Sequence, residues 1–168
     1  MDETNTQPTP SDHAPPITLF LCGDVMTGRG IDQILPHSND PRLYEPYVSS
    51  AIEYVALAEA ANGTIPRGVA FDYIWGDALE ELARASADAR IINLETAVTT
   101  ADTPAPKGIH YRMHPSNIPV LAAAGVDCTV LANNHVLDWG YEGLTETLQT
   151  LQTAGVQTTG AGRDRAQA

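Results

Sequence analysis

The chain has 168 residues, 43% hydrophobic and 18% charged, the composition of a globular domain long enough for one core and too short for two. A formal net charge of −12 leaves no basic stripe to displace counterions, which excludes a nucleic-acid binder. No stretch reaches the roughly 18 consecutive apolar residues of a membrane span.

In chain order, "MDETNTQPTPSDHAPP" (1–16) comes first. It is acidic and proline-rich, lacks the basic and apolar regions of a signal peptide, and reads as a disordered leader to a single domain over 17–168. With no signal or anchor, the chain as written reads as cytoplasmic. "ITLFLC" (17–22) is a continuous apolar run ending in Gly-Asp and a glycine-bearing loop. Similar runs follow at "ARIINL" (89–94), ending on Glu95, and at "DCTVLA" (127–132), ending on "NNH"; a weaker one is "VQTT" (156–159). Unbroken apolar runs of about six residues suit strands buried on both faces, as in parallel sheets. Cys22 and Cys128 lie in two of these runs and read as buried free thiols.

Helical patterns separate the runs. Residues 76–89 place Leu79, Leu82 and Ala83 on one face, with acids early and Arg84 later, as a helix dipole favours. Residues 114–125 offer Ser116 or Asn117 as caps, Pro119 near the first turn and Gly125 as the stop; residues 140–155 repeat Leu144, Leu148 and Leu151 before Gly155. The segment from about 36 to 75 is a helix-containing excursion, and "NGT" (62–64) is a chance match to a glycosylation acceptor. Strand and helix alternating at this pitch predict an α/β fold with about four mostly parallel strands.

In open parallel sheets, ligands bind beyond the carboxyl ends of the strands. Three strands deliver polar side chains to that edge: Asp24, Glu95, then Asn133, Asn134 and His135. "GDVMTGRG" (23–30) is neither a dinucleotide fingerprint nor a P-loop. Carboxylates, an amide and an imidazole on one rim suit a divalent metal: Mg²⁺ or Mn²⁺ by their oxygens, Zn²⁺ or Fe by the histidine. Taken singly, Asp24 also suits a turn after the first strand, and the two asparagines suit left-handed turn geometry.

"GDVMTGR" (23–29), "INLETAVT" (92–99), "ANNHVLDWG" (132–140) and "GLTETLQTLQTAGVQTTGAG" (143–162) together resemble the N-terminal half of the CapA family, the poly-γ-glutamate capsule synthesis proteins. That family is similar in fold to the calcineurin-like metallophosphoesterases, a sandwich around a two-metal centre. The resemblance implies Asp24, Glu95 and Asn134 as metal ligands, and His135 as the proton donor or transition-state stabiliser. Asp138 either orients His135 or caps the next helix. Arg29 and Asn133 would contact an anionic substrate such as poly-γ-glutamate, Arg29 serving otherwise as a structural ion pair. Capsule-synthesis membrane proteins are the implied partners, and the cell envelope the implied setting.

Two departures qualify this expectation. Val25 and Met26 follow Asp24 where the superfamily has a histidine two residues on. The family also continues past the length of this chain, into a late histidine motif that His110 and His114 do not replace; on a strand these two would share a face with Arg112. The chain therefore reads as a half-domain with an incomplete metal site. A non-catalytic module that binds polymer or a partner is the alternative, and a protein at −12 repels polyglutamate unless metal ions reverse the local sign.

Overall fold

The computed structural model describes residues 15–168, so most of the expected leader lies outside the described residues. Four strands form one parallel sheet in the order β1 (Leu19–Val25), β2 (Ala89–Leu94), β5 (Cys128–Val130), β6 (Gln157–Thr159). A second, two-stranded parallel sheet pairs β3 (Ala97–Val98) with β4 (Arg112–Met113). Between them run α1 (Gly30–Ile34), α2 (Ala51–Asn62), α3 (Ala78–Ala85), α4 (Pro119–Ala123) and α5 (Gly140–Thr153). This is the α/β architecture expected from the alternation of apolar runs and helical patterns.

Local chemistry sets the helix ends. Ser50 and Glu53 form a capping box that starts α2, and Gly63, at φ 85°, ends it. In α3, Glu80 and Glu81 occupy the first turn and Arg84 the last, so charge and macrodipole agree. α4 begins differently from expectation. Asn117 does not cap it: the side chain is fully buried and its amide donates to Asp32 Oδ1 at 3.0 Å. Ser116 donates its backbone N–H to His114 Nδ1 in a 3₁₀ turn, Pro115–Asn117, ahead of the helix.

The main core lies on one face of the four-stranded sheet. Phe20, Ile92 and Leu94 meet Leu79 and Leu82 of α3, Val120 and Leu121 of α4, and Leu148 and Leu151 of α5. Arg90 ties two helices to the sheet by donating to Ala124 O at 2.7 Å, at the C-cap of α4, and to Leu82 O at 3.0 Å, in the last turn of α3. Gly125, at φ 63°, lets the guanidinium pass, since a Cβ there would collide with Arg90 Nη1.

Burial on both faces does not hold for β1. Leu19 and Leu21 are 53% and 67% exposed, and Ile17 just before them 78%, because no element among the described residues covers that face of this edge strand. Cys22 is exposed too, with a single neighbouring strand beside it; Cys128 is half-buried, and both are free thiols. His110, Arg112 and His114 do not act as one face. His110 and Arg112 both pack on Trp139, with Arg112 3.9 Å from the ring centroid, whereas His114 stacks on His37. β4 is only two residues long, so the strand alternation is not sustained through all three.

Asp32 pins the loops that flank α1. Only 1% exposed, it accepts from the backbone N–H groups of Asn39 and His114, each at 2.8 Å, and from the Asn117 amide. Burial pushes its carboxyl up from the ordinary aspartate value, against the pull of these donors. Replacing it strands three donors, so Asp32→Ala is expected to cost about 2–4 kcal/mol in urea denaturation at neutral pH. A raised folded-state pKa means that Asp32's own contribution is complete below the ordinary aspartate value and declines as pH rises through the raised one. The gap between wild type and variant should therefore be wider at acid pH than at neutrality.

Candidate active site at the carboxyl edge of the sheet

Because β1, β2 and β5 are parallel, their carboxyl ends open on one edge. β1 runs past the expected boundary. A bulge between Cys22 and Asp24 lets the strand continue through Asp24, which pairs with Asn93 of β2. Asn93 Nδ2 donates to Asp24 Oδ1 at 2.6 Å, and Asn133 Nδ2 donates to Asn93 Oδ1 at 3.1 Å and to Leu94 O at 3.0 Å. Asn133 Oδ1 accepts the His135 N–H at 3.0 Å. Asn133 thus uses both ends of its amide to lock the loop after β5 onto the end of β2. Asn134 is exposed beside it, and Glu95 follows β2 with its side chain 19% exposed.

His135 is 5% exposed, and its Nδ1 lies 2.7 Å from Asp138 Oδ2. That oxygen also accepts the Tyr111 N–H at 2.7 Å, while Asp138 Oδ1 accepts from Lys107 Nζ at 2.6 Å. The carboxylate of Asp138, fully buried, only accepts here, so the proton sits on His135 Nδ1 and Nε2 is left facing Glu95 Oε1 at 3.8 Å. The Asp138 side chain bonds the histidine and does not cap α5, which starts from Trp139 with no side-chain cap. Lys107 also donates to Asn134 O at 2.8 Å, and Tyr111 stacks on the His135 ring at 3.9 Å with 17° between planes. An imidazole held by a buried carboxylate, with its other nitrogen beside a second carboxylate, has the chemistry to carry a proton.

Arg29 is turned into the protein. Its side chain is 14% exposed, and its guanidinium bonds Glu45 and the Tyr54 hydroxyl and lies over the Tyr54 and Tyr111 rings at 4.3 and 5.3 Å from their centroids. Tyr54 donates its hydroxyl to Glu45 Oε2 at 2.7 Å; burial first, then this bond, push the phenol up to about 12.

Asn93, Lys107 and Tyr111 are the site residues that strand-end reasoning missed. Asn93 was detectable as a polar residue interrupting the apolar "IINL" run. Lys107 is the only lysine in the sequence, a signal in its own right for a chain of this charge. Tyr111 had none, since its place depends on the path of the loop.

The donor chemistry of Asp24, Glu95 and Asn134 fits a hard divalent cation in kind but not in number. Among the described residues, no three His, Cys, Asp or Glu side chains converge as a metal cage. His110 Nε2 is instead bonded to Ala105 O at 2.8 Å, and His114 is committed to the Ser116 turn.

Comparison with known proteins places these elements in context. The family described as "Bacterial capsule synthesis protein PGA_cap" matches residues 18–168. Two Mycobacterium tuberculosis proteins, from strains H37Rv and CDC 1551, each named "Probable polyglutamine synthesis accessory protein", are 50% identical over 152 residues, covering 88% of this chain and 39% of theirs. An uncharacterized protein of Sinorhizobium fredii is 39% identical over 94 residues, 52% of this chain and 20% of its own. The chain thus spans 39% of the length of the mycobacterial relatives it matches.

The buried Asp138 carboxylate has three partners and no exposure to water. Asp138→Ala leaves the Tyr111 N–H without its acceptor and is expected to lower stability by about 2–4 kcal/mol in chemical denaturation. His135→Asn, which keeps Asp138 bonded to Lys107 and Tyr111, should cost less than Asp138→Ala in the same measurement.

Proposed function

The chain belongs to the family of bacterial capsule synthesis proteins, and from that premise we propose that it acts in the synthesis or export of poly-γ-glutamate or a similar anionic polymer, through a hydrolase-like site of the metallophosphoesterase type. The observation that carries this reading is His135, fixed by buried Asp138 with Nε2 turned toward Glu95 at the carboxyl edge of the sheet. His135 moves a proton at Nε2 to or from the reacting group. Asp138 keeps the ring in one tautomer and one orientation, and Lys107 balances the charge of Asp138. Asn133 and Asn93 hold the strand ends in register, so that Asp24, Glu95 and Asn134 share the rim.

Asp24, Glu95 and Asn134 would hold a divalent cation, Mn²⁺ or Mg²⁺ by their oxygens, with Zn²⁺ or Fe admitted through the imidazole. Such an ion, when bound, supplies charge neutralisation at a phosphoryl or acyl oxygen. Three ligands fall short of the roughly six that octahedral ions prefer, which makes the expected affinity weak. In a protein of net charge −12, a cation at the rim also offsets the repulsion of a polyanionic substrate. The name of the mycobacterial relatives, accessory proteins of polyglutamine synthesis, supports partners within a synthesis machinery, membrane proteins of the capsule system among them. No helix among the described residues is itself long and apolar enough to cross a membrane.

One observation favours a second reading. The lack of a cage of three ionisable ligands among the described residues suits a non-catalytic module that binds polymer or partner on the same fold. Calorimetric titration with Mn²⁺ separates the two. We expect weak binding to wild type and its loss in Glu95→Ala; equal heats from both proteins would remove Glu95 from the site and favour the binding module.

Activity provides a separate check. In a chimera that joins this chain to the part of a mycobacterial relative beyond the matched region, His135→Asn should lower hydrolysis of a generic phosphodiester by about 10²-fold or more. Undiminished hydrolysis would show that His135 carries no proton in the reaction.

A further inference from the structure

We infer that Arg29 is a positioning residue for His135, acting through the ring of Tyr111 and not by binding an anionic substrate group.

The contacts form one continuous chain from Glu45 to His135. Glu45, its side chain 1% exposed, holds the Arg29 guanidinium, and Tyr54 fixes the same carboxylate from its second oxygen. The Tyr54 phenol keeps its proton far into the alkaline range, so this second bond persists. The guanidinium lies over Tyr54 at 4.3 Å and over Tyr111 at 5.3 Å from the ring centroids. Tyr111 in turn covers the His135 ring at 3.9 Å. The backbone of Tyr111 is anchored as well: its N–H donates to Asp138 Oδ2, and its carbonyl accepts from Trp139 Nε1 at 3.1 Å. Asp138 thus fixes the imidazole in its own plane through Nδ1, and Tyr111 fixes the tilt of that plane. The Tyr111 ring is steadied from its own neighbours by Arg29.

Two features of Arg29 set it apart from a simple ion pair. It adopts φ 54°, a left-handed backbone that a non-glycine residue occupies only at a cost. Its Nε is also buried without a hydrogen-bond partner among the described residues. Both costs accompany a placement that sets the guanidinium over both Tyr54 and Tyr111. Lysine, a point charge on a flexible stem, could pair with Glu45 but has no planar, delocalised group to set over the two rings.

This inference rests on the role of His135 proposed above, and its test needs no turnover. In the 168-residue chain with labelled histidines, the ring C–H signals of His135 are identified by their disappearance in His135→Asn. Tyr111→Leu removes the overlying ring and should shift these signals downfield. Arg29→Lys keeps the charge opposite Glu45 and the strained backbone, and should shift them in the same direction although it touches no atom of His135. Val156→Ala, a loss of packing elsewhere in the core, should leave them in place. Unmoved signals in Arg29→Lys, with a clear shift in Tyr111→Leu, would reduce Arg29 to an ion pair and overturn the proposal. Unmoved signals in Tyr111→Leu would overturn it at the stack itself. Equal shifts in Val156→Ala and Arg29→Lys would also overturn it, as a general effect of loosened packing. Hydrolysis retained by His135→Asn would instead remove the proton-carrying role and leave the ring-signal results untouched.

Discussion

The site depends on a single buried carboxylate. Asp138 has no contact with water, and a charge in that position is tolerable only if donors replace its hydration. Three come from three directions: the Lys107 ammonium, the Tyr111 N–H and His135 Nδ1. Lys107 and Tyr111 lie on the connection between β3 and β4, and His135 on the loop after β5, so the carboxylate ties two distant parts of the chain together. Its backbone carbonyl adds a further tie by accepting the Ala105 N–H at 2.8 Å. The constraint that makes burial affordable also orients the imidazole.

A second constraint lies in the parallel sheet. Parallel pairing brings the carboxyl ends of β1, β2 and β5 to one edge, and the asparagines join those ends through side-chain bonds beyond the reach of the backbone ladder. Asn93 links Asp24 to Asn133, and Asn133 accepts the N–H of His135. The succession of polar residues after the third apolar run has this physical basis. Asn133 satisfies strand-end and loop groups, Asn134 faces outward, and His135 turns in to meet Asp138. Two of the three are occupied in holding the loop, and they leave Glu95 and the imidazole Nε2 at the rim.

Composition and pattern left some positions undecided for identifiable reasons. The largely apolar run at 17–22 says that a strand is buried, yet not whether one face or both are covered; coverage depends on a layer supplied from elsewhere, and Leu19 and Leu21 remain open. Asn117 has the preferences of a helix cap, but the deeper demand of Asp32 for a donor claims its amide. Arg29 reads as an anion clamp or as an ion pair, because the partner that decides, Glu45, is sixteen residues away on an irregular segment and carries no pattern of its own.

The amino-acid sequence by itself determined the α/β class, the parallel sheet, and the strand edge where Asp24, Glu95 and the Asn133–His135 stretch gather. These follow from periodicity and from spacing within a few residues, which local backbone geometry enforces. Only the tertiary structure decided that Lys107 and Tyr111 join His135 on Asp138 and that Arg29 faces inward between two tyrosines. It alone decided that Asn93 bridges the strands. Those contacts join residues from about 25 to 82 positions apart, and their geometry is set by how helices and loops close over the sheet, a relation that no local pattern encodes.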